Sequence, residues 1–169
     1  MNDGDFRVDI LNDTGEIVTN KLRKDIVKGV DIYHAVYGVI ITPEGHVAVS
    51  LIAQKEDLPN LHAGSYGFTA ATIRRSSETG AEAMKRAILN ELNLNTEPEL
   101  FSELLEDVDG TKRLVGTYLI KSNIPTEYNH SEIEKIVSFE PNQFSQEINM
   151  HPEKFTPLLK KFWAEYNRS

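Results

Sequence analysis

The residue best suited to chemistry lies on a predicted helix between Thr79 and Asn93. Glu91 shares one face of this helix with Ala87 and Asn90, because residues three and four apart are neighbours on a helix surface. Carboxylate oxygens bind Mg²⁺ or Mn²⁺, and such a metal can neutralise phosphate oxygens and generate hydroxide. This face offers one carboxylate, one neutral amide and one methyl group. We therefore expect weak metal binding here unless further ligands come from elsewhere.

The sequence predicts where this helix begins and ends. Thr79 and Glu82 form a capping box, in which each side chain satisfies a free backbone N–H group at the helix start. Asn93 suits the left-handed conformation that closes a helix. Apolar residues recur at three- and four-residue steps and predict the buried stripe. These residues are Ala81, Met84, Ile88 and Leu92.

The spacing around the helix resembles the Nudix box, G-x5-E-x7-R-E-U-x-E-E-x-G-U, where U is aliphatic. The positions that agree are Glu78, Arg86, Ile88, Glu91 and Leu94. The positions that depart are Thr72 and Asn93, in place of glycines, and Ala87 and Asn90, in place of acidic residues. The resemblance implies that Glu78 and Arg86 fix the loop leading into the helix. An ordinary ion pair on the helix surface is the alternative.

Other segments resemble the isopentenyl-diphosphate-isomerase-like branch of this superfamily. They are residues 8–13, 33–36, 132–137 and 152–157. Isomerases of this branch have a Cys and a His in the strand before the box, whereas this chain has Ala70–Ile73 there. Tyr33 occupies the place of a metal-binding His, and His34 comes one residue later. Isomerase chemistry is therefore not expected. The resemblance implies a single domain over 1–169, an α/β/α sandwich with a central mixed β-sheet.

The resemblance also implies where a ligand and a metal would bind. Glu91 is the predicted catalytic residue and metal ligand, and Glu134, on a late strand, is the predicted second ligand. Arg74, His62 and Tyr66 are the predicted substrate contacts, although Tyr66 could instead be a core residue. Further acids that could supply a ligand are Glu106, Asp107, Asp109 and Glu132. The alternative for every one of these acids is a solvated position on an edge or loop.

Alternation of apolar and β-branched residues predicts the strands around the helix. Predicted strands lie within 6–19 (two, around a turn at 12–15) and at 33–42, 46–52, 66–73, 99–108, 113–122 and 132–139. Residues 21–28 predict a short helical turn, and residues 141–147 and 152–167 predict helices. Residues 53–65 contain Pro, Asn and Gly without periodicity and predict a loop.

The composition limits the classes of binding partner that we expect. The formal net charge of −8 argues against binding nucleic acid through its phosphates, although local cations such as Arg74 and Arg113 could serve a small phosphorylated ligand. No stretch approaches the roughly 18 apolar residues of a membrane span. The acidic start does not resemble a signal peptide, so we expect a cytoplasmic protein without membrane partners. The oligomeric state is left open, with a homodimer as one candidate.

Two functions follow as hypotheses. The first is a hydrolase of nucleoside diphosphates linked to another moiety, which uses Mg²⁺ or Mn²⁺ and whose activity is weakened or lost with the missing acids. The second is a non-catalytic domain that binds a nucleotide, a metabolite or a protein partner. The residues around Glu91 favour weak or absent catalysis, because one helix carboxylate supports a divalent cation poorly.

Overall fold

A seven-stranded mixed sheet and a separate two-stranded sheet form the frame of the protein, whose computed structural model describes residues 5–54 and 61–169. In chain order the elements are β1 (Arg7–Leu11), β2 (Ile17–Leu22), β3 (Tyr33–Ile41), β4 (Val47–Ile52), β5 (Tyr66–Gly67), β6 (Ala70–Ile73), α1 (Gly80–Leu92), β7 (Glu99–Val108), β8 (Thr111–Lys121), β9 (Ile133–Phe139), α2 (Pro141–Met150) and α3 (Pro157–Tyr166). Within these ranges, no helix is long and apolar enough to cross a membrane.

Strand β3 organises the larger sheet. On one edge it pairs in parallel with β8, which pairs antiparallel with β7. On the other edge it is shared, because residues 35–38 pair with β6 and residues 40–41 pair with β4. Strand β4 continues away from β3 and pairs with β5 and β9. The sheet therefore divides beside β3 into two arms, one formed by β6 and the other by β4, β5 and β9.

Helices cover both faces of this sheet, because successive side chains of a strand point to opposite sides. On one face, Met84 and Ile88 of α1 pack in a buried cluster with Val36 of β3. On the other face, Phe144 of α2 and Phe162 of α3 belong to a second buried cluster. This arrangement confirms the predicted α/β/α sandwich with a central mixed sheet.

The predicted strand over 66–73 is wrong, because the chain forms β5 and β6 in different arms. Thr69 lies between them and bridges the point where the arms separate. Its hydroxyl accepts a hydrogen bond from the backbone N–H of Ile40 (3.0 Å) and donates one to the carbonyl of Ala48 (2.7 Å). A side chain thus satisfies backbone groups at the division of the sheet.

The last helix starts later than predicted, at Pro157 instead of 152. The backbone N–H of Thr156 donates to the carbonyl of Tyr66 (2.9 Å), and Phe155 forms a bridge beside Tyr66. These contacts keep 155–156 extended next to β5, so only a 3-10 turn forms before them, at Pro152–Lys154.

Three smaller predictions also change. The helical turn expected over 21–28 is a 3-10 turn at Arg23–Asp25, because β2 extends through Leu22. Ala81 is exposed, whereas Ala83 and Ala87 complete the buried stripe of α1. Of the predicted loop over 53–65, residues 53–54 and 61–65 contain no strand or helix, and residues 55–60 lie outside the described residues.

Helix α1 packs very closely on β3 and has the predicted boundaries. The backbone N–H of Glu82 donates to the Thr79 hydroxyl and the N–H of Thr79 donates to the Glu82 carboxylate, each over 3.1 Å. Asn93 has the left-handed φ of 54°. A Cβ atom on Gly38 of β3 would lie 2.9 Å from the sulfur of Met84 and 2.8 Å from Cδ1 of Ile120. The absence of a side chain at Gly38 therefore allows α1 to pack this close to the sheet.

We expect Gly38→Ala to lower the free energy of unfolding by about 1–3 kcal/mol, the usual range for overpacking a core. Urea denaturation would measure the loss. Ile120→Val removes the nearest methyl group, so the double variant should lose less than the two single losses add up to. A Gly38→Ala protein as stable as the parent would contradict the close packing of α1.

Candidate functional site

A cavity of 640 Å³ lies beside the division of the sheet. Its walls come from both arms, from α1, from the turn between β7 and β8, and from the start of α3. Much of the lining is apolar and includes Ile52, Phe68, Leu105, Ile133 and Leu158. A largely apolar cavity of this size with a few polar groups is typical of small-molecule sites.

Glu91 lies in the cavity wall and is bonded to the neighbouring strand. Its carboxylate accepts a hydrogen bond from the backbone N–H of Ala71 in β6 (3.0 Å). The other two residues of the predicted metal face do not line the cavity. Ala87 is only 3% exposed within the core, and Asn90 points to solvent. Glu91 is therefore the one member of that face that a ligand in the cavity can reach.

The opposite wall carries two acids that are already paired with basic side chains. Glu106 accepts a salt bridge from Lys161 of α3 (2.8 Å) and its side chain is 12% exposed. Both carboxylate oxygens of Asp109 lie within 3.0 Å of Nε2 of His62. His62, a predicted substrate contact, therefore does line the cavity, joined to the turn between β7 and β8.

The predicted second metal ligand, Glu134, does not line the cavity, whereas Glu132 does. Ile133 takes the buried position at the start of β9, so Glu134 points to the opposite side of the strand and is exposed. Over residues 5–54 and 61–169, no group of three or more His, Asp and Glu side chains is arranged to hold a metal ion.

Arg113 of β8 is a cavity residue that sequence reasoning noted only as a local cation. Its Nη1 donates to the hydroxyl of Tyr37 in β3 (2.9 Å), and its guanidinium lies 5.3 Å from the ring centre of Tyr33. Burial raises the pKa of Tyr37, so its hydroxyl stays protonated at neutral pH. Only the parallel register of β3 and β8 reveals this grouping, because it pairs Tyr33 with Arg113.

Two predicted substrate contacts, Arg74 and Tyr66, belong to the scaffold and do not line the cavity. Arg74 donates to the carbonyl of Glu78 and to Nδ1 of His34. Tyr66 packs with Phe155, with 5.5 Å between the ring centres. Both side chains therefore fix neighbouring segments of the chain.

Glu78 and Arg86 join the loop after β6 to helix α1. Arg86 donates to the carboxylate of Glu78 (2.8 Å) and to the carbonyl of Ile73 (2.9 Å). Glu78 also accepts the backbone N–H of Arg75 (3.1 Å). Burial alone would raise the pKa of Glu78, but the hydrogen bonds from Arg86 and Arg75 outweigh burial and lower this pKa. The pair therefore positions the helix that carries Glu91.

His34 is a buried histidine on the α1 side of the sheet. Its Nδ1 accepts a hydrogen bond from Arg74 (3.1 Å), because a guanidinium can only donate, and its Nε2 lies 3.5 Å from Glu103. Burial, followed by the charge of Arg74, lowers the pKa of His34 from 6.5 to about 4. His34 is therefore neutral at pH 7, with its proton on Nε2.

Comparison with solved structures identifies the fold. The chain is similar to DR0079 from Deinococcus radiodurans, with 17% identity and a TM-score of 0.77, over 94% of this chain and 98% of that one. It is similar to the MutT protein from Methanosarcina mazei Go1, with 12% identity and a TM-score of 0.65, over 81% and 94%. It is also similar to the MutT NUDIX hydrolase from Burkholderia pseudomallei, with 16% identity and a TM-score of 0.61, over 79% and 96%.

These likenesses show that the chain has the Nudix fold. No family profile and no curated protein sequence matches it. The comparison covers nearly the whole length of each of these structures. The likeness therefore includes the whole sandwich and is not limited to the helix that resembles the box. Since a fold hosts many functions, the function must be argued from the cavity.

We expect Arg86→Met to lower the free energy of unfolding by about 2–4 kcal/mol, because it leaves the Glu78 carboxylate and the Ile73 carbonyl without their donor. Lys85→Met is the matched control, since Lys85 precedes Arg86 and pairs with Glu97, whose side chain is 77% exposed. That control should cost about 0–1 kcal/mol. Equal losses in urea denaturation would contradict a structural role for the Glu78–Arg86 pair.

We also expect His34 to make folding sensitive to acid. Between pH 6.5 and about 4 the unfolded chain takes up a proton at His34 that the folded protein does not, so stability falls as the pH falls through this window. At roughly 1.4 kcal/mol per pH unit, the loss is on the order of 3 kcal/mol. His34→Gln keeps an acceptor for Arg74 without this proton. Its stability should therefore decline less between pH 7 and 4, and an equal decline would refute the assignment.

Proposed function

We propose that this protein binds a small phosphorylated ligand, such as a nucleotide or a nucleotide-derived metabolite, in the 640 Å³ cavity. We further propose that it hydrolyses diphosphates weakly or not at all. The observation that carries the proposal is that Glu91 is the one carboxylate of the predicted metal face, because Ala87 is buried in the core and Asn90 faces solvent.

The class of ligand is proposed from the fold and the cavity together. One similar structure is named a MutT NUDIX hydrolase, and its fold covers 79% of this chain. The cavity combines apolar walls, suited to a base or another planar body, with the guanidinium of Arg113, suited to phosphate. A compact phosphorylated molecule therefore satisfies both parts of the lining.

The donor set near α1 does not fit a divalent cation well. Mg²⁺ prefers six oxygen ligands in octahedral geometry. Glu91 supplies one carboxylate, Ala87 has no side-chain oxygen to offer, and Asn90 is neutral and faces solvent. If residual cleavage occurs, Glu91 is the proposed catalytic residue, and Glu132 is a nearer candidate for a second ligand than Glu134 because it lines the cavity.

The test compares binding with hydrolysis. Thermal melting should show that nucleotides raise the midpoint with EDTA present, and product release from nucleoside diphosphate sugars and dinucleoside polyphosphates with Mg²⁺ or Mn²⁺ should stay near background.

Two results would overturn this proposal. Rapid Mg²⁺-dependent cleavage by the parent protein that Glu91→Gln abolishes would show an active hydrolase. Failure of every nucleotide and phosphorylated compound to bind would show that the cavity does not serve this class of ligand. Glu91→Gln retains a side-chain carbonyl that can accept the Ala71 N–H, so loss of folding is not expected to confuse the result.

A further inference from the structure

The cavity contains one cationic side chain without an acidic partner. Lys161 pairs with Glu106 at 2.8 Å, and His62 pairs with Asp109 at 2.9 Å. Arg113 forms no salt bridge with any residue of the described ranges, although Asp109 also lines the cavity. Glu106 is the cross-strand neighbour of Arg113 and Asp109 is near enough to stabilise its charge, but each of these acids is already bonded to another side chain. The free donors of Arg113 are therefore left for a ligand.

The hydrogen bonds of Arg113 leave donors for an incoming group. Its Nη1 donates to the Tyr37 hydroxyl, whereas its Nε is buried and has no partner. The second amino group of the fork bonds to nothing within 5–54 and 61–169. The Tyr37 hydroxyl accepts the bond from Arg113, so its own proton is available to an acceptor in the cavity. Arginine and tyrosine thus present two donors side by side.

Binding of an oxyanion would stabilise this pair of donors more than binding of a neutral group. The half-buried guanidinium has lost water, and the ring face of Tyr33 compensates for only part of its charge. A planar arginine fork matches the two oxygens of a carboxylate or phosphate. A neutral ligand would leave these donors without a charged acceptor.

The arginine lies away from the helix that resembles the box. Glu91 is bonded to β6, Arg113 belongs to β8, and β3 lies between those strands. With about 4.8 Å between neighbouring strands, the two strands are roughly 10 Å apart. The donors of Arg113 therefore belong to a different strand from the one that Glu91 contacts. Phe68 lies 5.4 Å from Tyr37, measured between ring centres, and supplies an apolar wall for the rest of the ligand.

We infer that Arg113 and Tyr37 form a metal-independent subsite for an oxyanion, a phosphate monoester or a carboxylate, attached to a planar apolar body. The inference rests on the proposed function, because it assigns the anionic end of the ligand in the same cavity. It makes Arg113 the residue that selects charged over neutral ligands.

The experiment uses phenyl phosphate, benzoate and phenol as probes, with the full chain in EDTA and ligand-observed NMR or calorimetry as the readout. Phenyl phosphate or benzoate should bind at least about tenfold more tightly than phenol, and the tighter of the two identifies the oxyanion. Arg113→Met should weaken binding of that anion about tenfold to a hundredfold, the usual effect of losing charge-assisted hydrogen bonds. Its affinity for phenol should be unchanged, which also reports that the cavity is intact.

Lys112→Met is the matched control, because it removes the cation next to Arg113 that does not line the cavity and pairs with the exposed Asp13, and it should change the affinity for the anion less than threefold. Arg113→Lys should fall between the parent and Arg113→Met, because it keeps the charge and loses the fork. Equal binding of the anion by the parent and Arg113→Met would overturn the inference, as would a requirement for Mg²⁺. If nucleotides still bind in that case, the proposed function stands and only the subsite is wrong.

Discussion

The hydrogen bonds between the side chains of α1 and strand β6 are the constraint on which the site depends. Strand β6 pairs with β3 along one edge. On the helix side, the N–H of Ala71 donates to Glu91, and the carbonyl of Ile73 accepts from Arg86. Unpaired backbone groups of a strand are costly when they are removed from water. Helix α1 therefore acts as the neighbour that a further strand would otherwise provide.

This constraint explains which residues of the box agree and which depart. Glu78, Arg86 and Glu91 each bond to the backbone of the loop or strand before the helix. Ala87 and Asn90, at positions where the box has acids, make no such contact, since one is buried in the core and the other faces solvent. The residues that agree with the box are therefore the ones that bond to the scaffold. On the proposed function, the same scaffold then supports binding without efficient cleavage.

Local signals predicted the helix and the main strands correctly. The capping box at Thr79, the apolar steps through Ile88 and Asn93 at the end define α1 within one segment, so no distant contact is needed to find it. Strand β3 and the turn after it were also predicted correctly from local sequence. The start of α3 was not, because the bond from Thr156 to Tyr66 joins segments far apart in sequence.

The residues that line the cavity could not all be predicted from a single sequence. Arg113 and Tyr37 meet only because β3 and β8 pair in parallel with one particular register. Glu132 lines the cavity and Glu134 does not, because Glu132 precedes β9 whereas Glu134 lies within the strand, on the side opposite the buried Ile133. Both facts follow from how strands pair across the fold.

Thr69 has a consequence for protein engineering. Its hydroxyl links the arms of the sheet at the point where they part, and its carbonyl accepts a further bond from the Ser50 hydroxyl (3.2 Å), so the width of the cleft there depends on two small side chains. Substitutions intended to change the size of the cavity would therefore begin at Thr69 and leave the helices on either face of the sheet unchanged.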